Sequence, residues 1–571
     1  MSGAEILWEC LVREGVDTVF GYPGGAILPA YDALGRFPIH HVLVRHEQGA
    51  AHMADGYARA SGRVGVAVAT SGPGATNLTT GIATAMLDSV PTVFITGQVP
   101  SKLLGSDAFQ ETDVTGITLP ITKHNELVTD VTRLAPALRE AFAIARSGRP
   151  GPVLVDICKD VQQARTSFEW PEQPARAGWN APPPDPGQLA RAADMIAAAE
   201  RPLILAGHGI VRAGASRVLT ALSEKADVPV ALTLLGLGGF PASHSLCLGM
   251  MGMHGEAYVN RAIQRADLII ALGMRFDDRV TGKLETFARH ARKIHVELDP
   301  SEIGKNVAVD LAVQADVREA LEGLVPLVPS RRHRAWLEEI AEGREDTRSR
   351  DLLHQPDDGR LYAAHVIREL WRATGGDAVV VTDVGQHQMF EAQYYPHERP
   401  RSLVTSGGLG TMGFALPAAI GAKMACPDSE VWVVAGDGGF QMTQCELATL
   451  RQENLDVKIA VVNNGFLGMV RQWQEFFYEK RYSATPLLSP DFAALAAAYG
   501  LPACTVGNRS GMESAIAAVR ASGQGGLIDF RVEREEAVYP MVPSGADISD
   551  MIRRPAAAPA AEGATAEGAT A

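Results

Sequence analysis

Residues 430–473 read EVWVVAGDGGFQMTQCELATLRQENLDVKIAVVNNGFLGMVRQW, in which a helical stretch separates two apolar runs. The first run, VWVV, ends in the glycine-flanked Asp437, and the second, VKIAVV, ends in Asn463-Asn464. A strand, helix, strand pattern of this kind predicts two parallel, adjacent strands. Asp437 and Asn464 would then follow the carboxyl ends of neighbouring strands, which is where open α/β sheets bind their ligands.

One carboxylate and one amide oxygen at the same sheet edge suit Mg²⁺, a hard cation that keeps other positions for phosphate oxygens. The glycines beside Asp437 let the backbone approach a phosphate closely. Taken separately, Asp437 is a common turn residue and Asn463-Asn464 a common strand-ending cap. Together, their order, spacing and context match the thiamine diphosphate motif, which favours the functional interpretation.

The bulk composition indicates a soluble multidomain protein. A chain of 571 residues with 46% hydrophobic and 21% charged residues is expected to form two to four domains. The net charge of −14 comes without a basic patch, so nucleic acid is not an expected partner. The six cysteines are scattered without a CxxC pair, which is typical of reduced cytoplasmic thiols. No run predicts a membrane span or a signal peptide, and we expect a cytoplasmic protein.

The alternation of apolar runs with helical periodicity predicts three doubly wound α/β domains with parallel sheets. Their expected bounds are 1–165, 186–335 and 359–545, and residues 546–571 are predicted to be a disordered tail with little to bury. The predicted strands are 19–20, 41–44, 64–69, 91–96 and 152–157; then 202–206, 228–233, 268–272 and 293–298; then 378–382, 403–405, 431–434, 457–462 and 527–530.

Several longer motifs extend the match. They are FGYPGG (20–25), VRHEQGAAHMADGYAR (44–59), TSGPGATN (70–77), RFDDRVTGK (275–283), DVGQHQM (383–389) and NNGFLGMVRQWQ (463–474). On these motifs the chain resembles the large catalytic subunits of the acetolactate synthase (acetohydroxyacid synthase) family, which are thiamine diphosphate enzymes. The resemblance covers about residues 4–542. It implies a pyrimidine-binding first domain, an FAD-binding middle domain and a diphosphate- and Mg²⁺-binding third domain.

The resemblance gives Glu47 a catalytic role. A 2-keto acid loses CO₂ only if an electron sink accepts the resulting charge, and the thiazolium ring of the cofactor is such a sink. In this family the glutamate of the RHEQ motif holds the pyrimidine N1′, so that the ring can take the C2 proton. The alternative for Glu47 is a glutamate that the helix dipole favours at a helix N-terminus.

By the same resemblance, a larger set of residues is expected to contact thiamine diphosphate. The set is Gly25, Glu47, Val384, Gly385, Gln386, His387, Gly410, Met412, Gly436, Asp437, Gly438, Gly439, Asn464, Phe466, Gly468 and Met469. Asp437, Asn464 and the Phe466 carbonyl are the expected Mg²⁺ ligands. Met412 would support the bent form of the cofactor, although a core methionine is the common alternative. Gly439 departs from the serine that is frequent at this position in the family.

The middle domain contains an AGHG loop after a predicted strand, but the loop lacks the third glycine of a dinucleotide fingerprint and is weak alone. The resemblance implies an FAD site formed by Arg149, Gly207, Thr233, His254, Arg275, Glu297 and Asp316. Because acetolactate formation has no net redox step, FAD would be structural. Each acid taken alone is more often a cap or a surface charge.

The resemblance also places Gln110 and Lys159 as catalytic residues and Phe109, Arg279 and Trp473 at the substrate. Arg279 would bind the carboxylate of the second keto acid through its planar fork. The alternatives are an ordinary ion pair of Arg279 with a neighbouring aspartate and a core stripe formed by Trp473 with the residue one helical turn later.

The implied reaction is decarboxylation of pyruvate and condensation with pyruvate or 2-oxobutyrate, in valine, leucine and isoleucine biosynthesis. The implied site lies between two subunits, so a homodimer or homotetramer is expected, with a separate small regulatory subunit. Three alternatives stay open: another thiamine diphosphate enzyme such as an oxidase, a nicotinamide-dependent oxidoreductase built on the AGHG loop, and a non-catalytic thiamine-binding relative.

Overall fold

The computed structural model describes residues 1–174 and 178–556, which form three α/β domains, each built on a six-stranded, all-parallel sheet. The predicted fold class is thus confirmed. The strands of the first sheet are β1 (Thr18–Gly21), β2 (His40–Leu43), β3 (Gly65–Ala69), β4 (Thr92–Gln98), β5 (His124–Val128) and β6 (Val153–Cys158). Those of the second are β7 (Pro202–Ala206), β8 (Val230–Leu232), β9 (Cys247–Met250), β10 (Leu268–Leu272), β11 (Arg292–Glu297) and β12 (Leu311–Gln314). Those of the third are β13 (Val379–Thr382), β14 (Leu403–Thr405), β15 (Val431–Gly436), β16 (Val457–Asn463), β17 (Ala503–Val506) and β18 (Gly526–Arg531).

Helices cover the faces of each sheet. The first domain has α1 (Gly3–Arg13), α2 (Leu28–Leu34), α3 (Glu47–Ser61), α4 (Pro73–Thr76), α5 (Thr79–Leu87), α6 (Val114–Thr118), α7 (Val131–Arg146) and α8 (Lys159–Gln163). The middle domain and its connector have α9 (Pro186–Ala198), α10 (His208–Arg212), α11 (Ser216–Ala226), α12 (Ala257–Arg265), α13 (Asp278–Thr281), α14 (Val317–Leu324) and α15 (Arg334–Arg348). The third domain has α16 (Ala363–Thr374), α17 (Gln386–Tyr394), α18 (Ala415–Ala425), α19 (Asp437–Thr443), α20 (Leu447–Gln452), α21 (Gly468–Phe477), α22 (Phe492–Ala498) and α23 (Met512–Ala521). No helix within the described ranges is long and apolar enough to cross a membrane.

The strand orders separate the middle domain from the other two. The first sheet runs β2-β1-β3-β4-β6-β5 and the third runs β14-β13-β15-β16-β18-β17, which is the same order counted within each domain. The middle sheet runs β12-β11-β10-β7-β8-β9. Counted within the domain, this is the 3-2-1-4-5-6 order of dinucleotide-binding folds, whose ligand crevice lies where the order reverses, between β7 and β10.

The two strands of the opening segment are adjacent and parallel, as predicted. β15 and β16 pair from Val431 with Val457 through to Gly436 with Val462. The intervening helical stretch is broken into α19, a 3₁₀ turn and α20, so it is less regular than a single helix. Both strands are fully buried, as expected for a parallel sheet with helices on both faces.

Four strands were not predicted from the sequence: β5, β9, β12 and β17. All four lie at sheet edges, and β9 also carries a register shift against β8. β5 and β17 are only half-buried, so they lack the apolar run that identifies a central strand. The single helix expected near residues 75–87 is divided into α4 and α5.

The first and third domains share one hydrophobic core through α3 and α18. A Cβ on Gly56 would lie 2.0 Å from the Ala418 carbonyl oxygen, and one on Gly421 would lie 1.9 Å from the Met53 carbonyl oxygen. Side chains at these positions would force the helices apart, so the glycines set the close approach of the two domains.

The C-terminal boundary needs correction, because ordered chain continues past residue 545. Ile548 is buried, and Ile552 forms a bridge with Met541. A second bridge joins Asp547 to Gly282 of the middle domain. These contacts give residues 546–556 a place against the middle and third domains. The rest of the predicted tail, 557–571, lies outside the described residues.

Candidate active site

A small cavity of about 60 Å³ opens at the carboxyl edge of the third sheet. The predicted diphosphate and metal residues that line it are Val384, Gly385, Gln386, His387, Met412, Gly436, Asp437, Gly438, Gly439, Asn464, Phe466, Gly468 and Met469. They follow the ends of β13, β14, β15 and β16. The structure therefore brings together, at one sheet edge, residues that are up to 85 positions apart in the chain.

Asp437 and Asn464 present oxygen ligands to this cavity. The buried Asp437 accepts a 2.7 Å hydrogen bond from Ser489 through Oδ2, and burial raises the pKa of the Asp437 carboxyl. The Asn464 side chain donates to Gln386 Oε1 over 3.2 Å and accepts from the Phe466 amide over 3.0 Å. A carboxylate, an amide oxygen and a nearby carbonyl form a donor set that fits Mg²⁺. Within residues 1–174 and 178–556, no group of three or more His, Cys, Asp or Glu side chains forms a competing metal site.

The remaining wall of the small cavity suits a diphosphate. α17 begins after Gly385 and α21 begins at Gly468, and free N–H groups at such helix starts attract anions. A Cβ on Gly436 would come within 2.8 Å of the His387 ring, so only glycine leaves this space open. Burial lowers the pKa of His387 to about 4, and its Nε2 has no hydrogen-bond partner among the described residues. A buried polar atom without a partner at this place points to a bound group.

A much larger cavity, of about 1130 Å³, lies between the three domains and shares Met412 and Met469 with the small one. Six of the predicted flavin residues line it: Arg149, Thr233, His254, Arg275, Glu297 and Asp316. Gly207 instead packs against the loop after β10, where a Cβ would lie 2.4 Å from Met274 Cβ. Its glycine is therefore explained by the contact between two loops at the topological switch point.

The charged groups of the large cavity form hydrogen bonds with neighbouring side chains and backbone amides. Arg149 donates to Glu302 over 2.9 Å and to the Ser89 hydroxyl over 2.7 Å. Glu297 accepts from two backbone amides, and burial raises the pKa of its carboxyl to about 7. Asp316 caps α14, so the alternative of a cap is correct for it, although it also lines the cavity. Arginines beside acids at strand ends suit the phosphates and riboses of a dinucleotide.

Arg279 of the middle domain and Trp473 of the third domain both line the large cavity. The Arg279 side chain is 59% exposed, and its Nη1 forms a long ion pair of 3.9 Å with Asp278 Oδ2, which solvent exposure makes weak. Trp473 packs on Phe477 with ring centroids 5.1 Å apart, and both rings are partly exposed. The ion pair of the alternative interpretation is therefore present but weak, whereas a core stripe does not describe the partly exposed Trp473.

Five predicted site residues lie in the first domain, away from both cavities. Gly25, Glu47, Phe109, Gln110 and Lys159 follow the carboxyl ends of β1, β2, β4 and β6. Asn77 donates to the Glu47 carboxylate over 2.9 Å, and Phe109 is 87% exposed. In the described part of the chain, none of the five lines either cavity.

The chain matches three family models in the order of its domains. They are the thiamine pyrophosphate enzyme N-terminal TPP binding domain (residues 1–117), central domain (189–324) and C-terminal TPP binding domain (383–530). It is 48% identical to an acetolactate synthase large subunit of Parasynechococcus marenigrum (strain WH8102), covering 99% of this chain and 93% of the relative. The Corynebacterium glutamicum large subunit is also 48% identical (96% and 90% covered), and the Escherichia coli isozyme 3 large subunit is 44% identical (96% and 98%).

The chain belongs to the acetolactate synthase large-subunit family of thiamine pyrophosphate enzymes. The predicted family is confirmed, and membership decides against a nicotinamide-dependent oxidoreductase. A Cβ on Gly439 would lie 2.2 Å from Asp383 Oδ1, so in this chain the Asp383 carboxylate occupies that space.

Asp383 and Ser489 are site residues that the sequence analysis missed. The buried Asp383 carboxylate accepts from the Val384, Gly413 and Ala415 amides at 2.9 to 3.1 Å, which ties the loop after β13 to the loop after β14. Burial raises the pKa of Asp383 to about 6. Its position directly before the VGQH motif is a signal that could have identified it. Ser489 is 52 residues from Asp437 and carries no such signal.

Proposed function

We propose that this protein is an acetolactate synthase that decarboxylates pyruvate and adds the resulting two-carbon unit to pyruvate or 2-oxobutyrate. The products, 2-acetolactate and 2-aceto-2-hydroxybutyrate, are precursors of valine, leucine and isoleucine. One observation carries the proposal: the small cavity, lined by Asp437 and Asn464, adjoins the large cavity, lined by Arg279 and Trp473. Family membership at 44–48% identity supports the same reaction. Oxygen uptake with pyruvate, without acetolactate, would instead indicate an oxidase.

The diphosphate end of thiamine diphosphate, together with Mg²⁺, would occupy the small cavity. Asp437, Asn464 and the Phe466 carbonyl would hold Mg²⁺, which offsets diphosphate charge that the surrounding glycines cannot. When bound, the cofactor supplies the electron sink for decarboxylation. Glu47 would hold a proton between its carboxylate and the pyrimidine ring, while Met412, which lines both cavities, would pack against the cofactor.

The complete site would be formed by two copies of the chain. Glu47, Gln110 and Lys159 lie on the first domain and line neither cavity of their own chain, which supports a partner that supplies them. This arrangement supports a homodimer or homotetramer. The relatives are named large subunits, which supports a separate small regulatory subunit.

The large cavity would hold FAD as a structural cofactor. Three observations support a dinucleotide there: the strand order of the middle sheet, the arginines that line the cavity, and a cavity volume of about 1130 Å³, which is above the range usual for smaller ligands.

We expect purified protein to be yellow, with flavin that is not reduced stoichiometrically during turnover, as followed by absorbance. A colourless preparation that is fully active and gains nothing from added FAD would contradict this assignment.

Trp473 and Arg279 are expected to affect the second substrate differently. The indole face would contact the extra methyl of 2-oxobutyrate, and one methylene in an apolar pocket is worth about 10- to 200-fold in discrimination. Trp473→Leu should therefore lower the preference for 2-oxobutyrate and largely keep pyruvate decarboxylation. Arg279→Lys is the matched contrast and should impair both acceptors, because an ammonium lacks the planar fork.

The measurement is a competition in which both keto acids are supplied together and the two acetohydroxy acids are quantified. An unchanged product ratio in Trp473→Leu would show that the indole only packs against Phe477. An Arg279→Lys variant with wild-type rates for both acceptors would remove the guanidinium from the carboxylate site.

A further inference from the structure

α5 of the first domain ends against a loop of the third domain. Asp88 follows the last residue of α5, and its carboxylate is buried. Its Oδ1 accepts from the Gly408 amide over 2.7 Å, and its Oδ2 accepts from the Gly407 amide over 3.0 Å. One carboxylate of the first domain therefore binds two consecutive amides of the third.

The local electrostatics do not favour an aspartate at this place. The C-terminus of a helix carries negative partial charge, which repels a carboxylate. Burial adds a desolvation cost that only paired charges and hydrogen bonds offset. Arg59 supplies the pairing through a 2.8 Å hydrogen bond to Asp88, and the same guanidinium donates to the Thr405 carbonyl over 2.9 Å. Arg59 thereby holds both the carboxylate and the start of the loop.

A second contact ties the same loop to the same helix. The hydroxyls of Thr84 and Thr411 lie 2.7 Å apart in a hydrogen bond, one helical turn before Asp88. The Thr411 amide also donates to the Ser406 hydroxyl over 3.0 Å, which closes the loop on itself. The loop is thus fixed at Gly407-Gly408 and at Thr411.

These two anchor points bracket Gly410 and directly precede Met412. Gly410 lines the large cavity, and Met412 lines both cavities. A loop that is free to shift would move both residues away from the cofactor.

We propose that Asp88 is a positioning residue, whose buried carboxylate fixes the Gly407–Met412 loop so that thiamine diphosphate binds tightly. The inference rests on the proposed function, because it presupposes that cofactor. Asp88 lines the large cavity, and it acts on the loop through its hydrogen bonds to two consecutive backbone amides.

The test compares Asp88→Asn with Asp55→Asn. Both residues are buried acids paired with Arg59, but Asp55 belongs to α3 and, among the described residues, its carboxylate bonds only to Arg59. Asparagine cannot accept from both amides and Arg59 at once, because one of its two polar atoms is a donor. Losing charge-assisted bonds to the loop should weaken thiamine diphosphate binding about tenfold or more in Asp88→Asn. Asp55→Asn should stay within about threefold of wild type.

The dissociation constant of thiamine diphosphate with Mg²⁺ is measured by titration calorimetry on the purified full chain, with circular dichroism to verify folding. At saturating cofactor, kcat of Asp88→Asn should approach that of wild type. Equal affinity in folded Asp88→Asn and wild type, or equal weakening by both variants, would overturn the inference. A wild-type chain that does not bind the cofactor would instead overturn the proposed function.

If Asp88→Asn does not fold, Gly408→Ala tests whether the contact between Asp88 and the loop controls cofactor binding. Gly408 is exposed, and a Cβ there would lie 2.8 Å from Asp88 Oδ1, which pushes the loop off the carboxylate without removing a buried charge. We expect it to weaken thiamine diphosphate binding about as much as Asp88→Asn. Wild-type affinity in Gly408→Ala would overturn the inference.

Discussion

Replacing Glu47 with glutamine should slow exchange of the thiamine C2 proton by about 10²-fold or more. Glutamine is nearly isosteric, and its amide oxygen can still accept from Asn77, so the chain should fold normally. It cannot hold a proton against the pyrimidine nitrogen as a carboxylate does. Proton exchange at C2 is followed by NMR. A wild-type exchange rate would leave Glu47 with only the structural role of an acid at the start of α3.

The proposed sharing of one site between two copies of the chain provides a control for this variant. Mixing Glu47→Gln chains with Asp437→Ala chains should restore part of the activity, because one site of each mixed dimer would contain both native residues. Each variant alone should stay inactive. Mixed chains that assemble but regain no activity would contradict a site shared between two copies.

Replacing Asp437 with alanine should abolish the Mg²⁺-dependent retention of thiamine diphosphate. Asp437 is the one charged side chain among the proposed ligands, and amide and carbonyl oxygens alone hold Mg²⁺ weakly. Retention is measured by gel filtration at limiting Mg²⁺, followed by assay of the bound cofactor. The matched control is Ser489→Ala, which removes the hydrogen bond to Asp437 but keeps the carboxylate, and should retain most of the cofactor. Full retention and activity in Asp437→Ala at limiting Mg²⁺ would remove Asp437 from the site.

Local pattern was sufficient to predict the central strands and the residues that follow them. β15 and β16 are continuous apolar runs, and a βαβ unit allows only a few arrangements, so Asp437 and Asn464 could be placed at one edge in advance. The edge strands β5 and β17 are mostly half-buried and have no such run. Their existence depends on pairing with β6 and β18, which local sequence does not encode.

Long-range contacts explain the site residues that were missed. Asp88 follows a helix and has the sequence signature of an ordinary cap, while its partners Arg59 and Gly408 are 29 and 320 residues away. Ser489 could not be predicted either, because a single serine in a loop has no sequence pattern that links it to Asp437. Gly207 is a different case, because it was predicted as a site residue. The sequence suggested that this glycine contacts a dinucleotide, whereas the structure shows that its close packing against Met274 requires a glycine.

The most direct test of the account is an acetolactate assay on the purified chain with pyruvate, in which thiamine diphosphate, Mg²⁺ and FAD are omitted one at a time. We expect acetolactate in the complete mixture and loss of the product when thiamine diphosphate or Mg²⁺ is left out. Supplying 2-oxobutyrate as well should give 2-aceto-2-hydroxybutyrate. Pyruvate consumption without either acetohydroxy acid, or acetolactate formation that persists in chains stripped of thiamine diphosphate, would contradict the account.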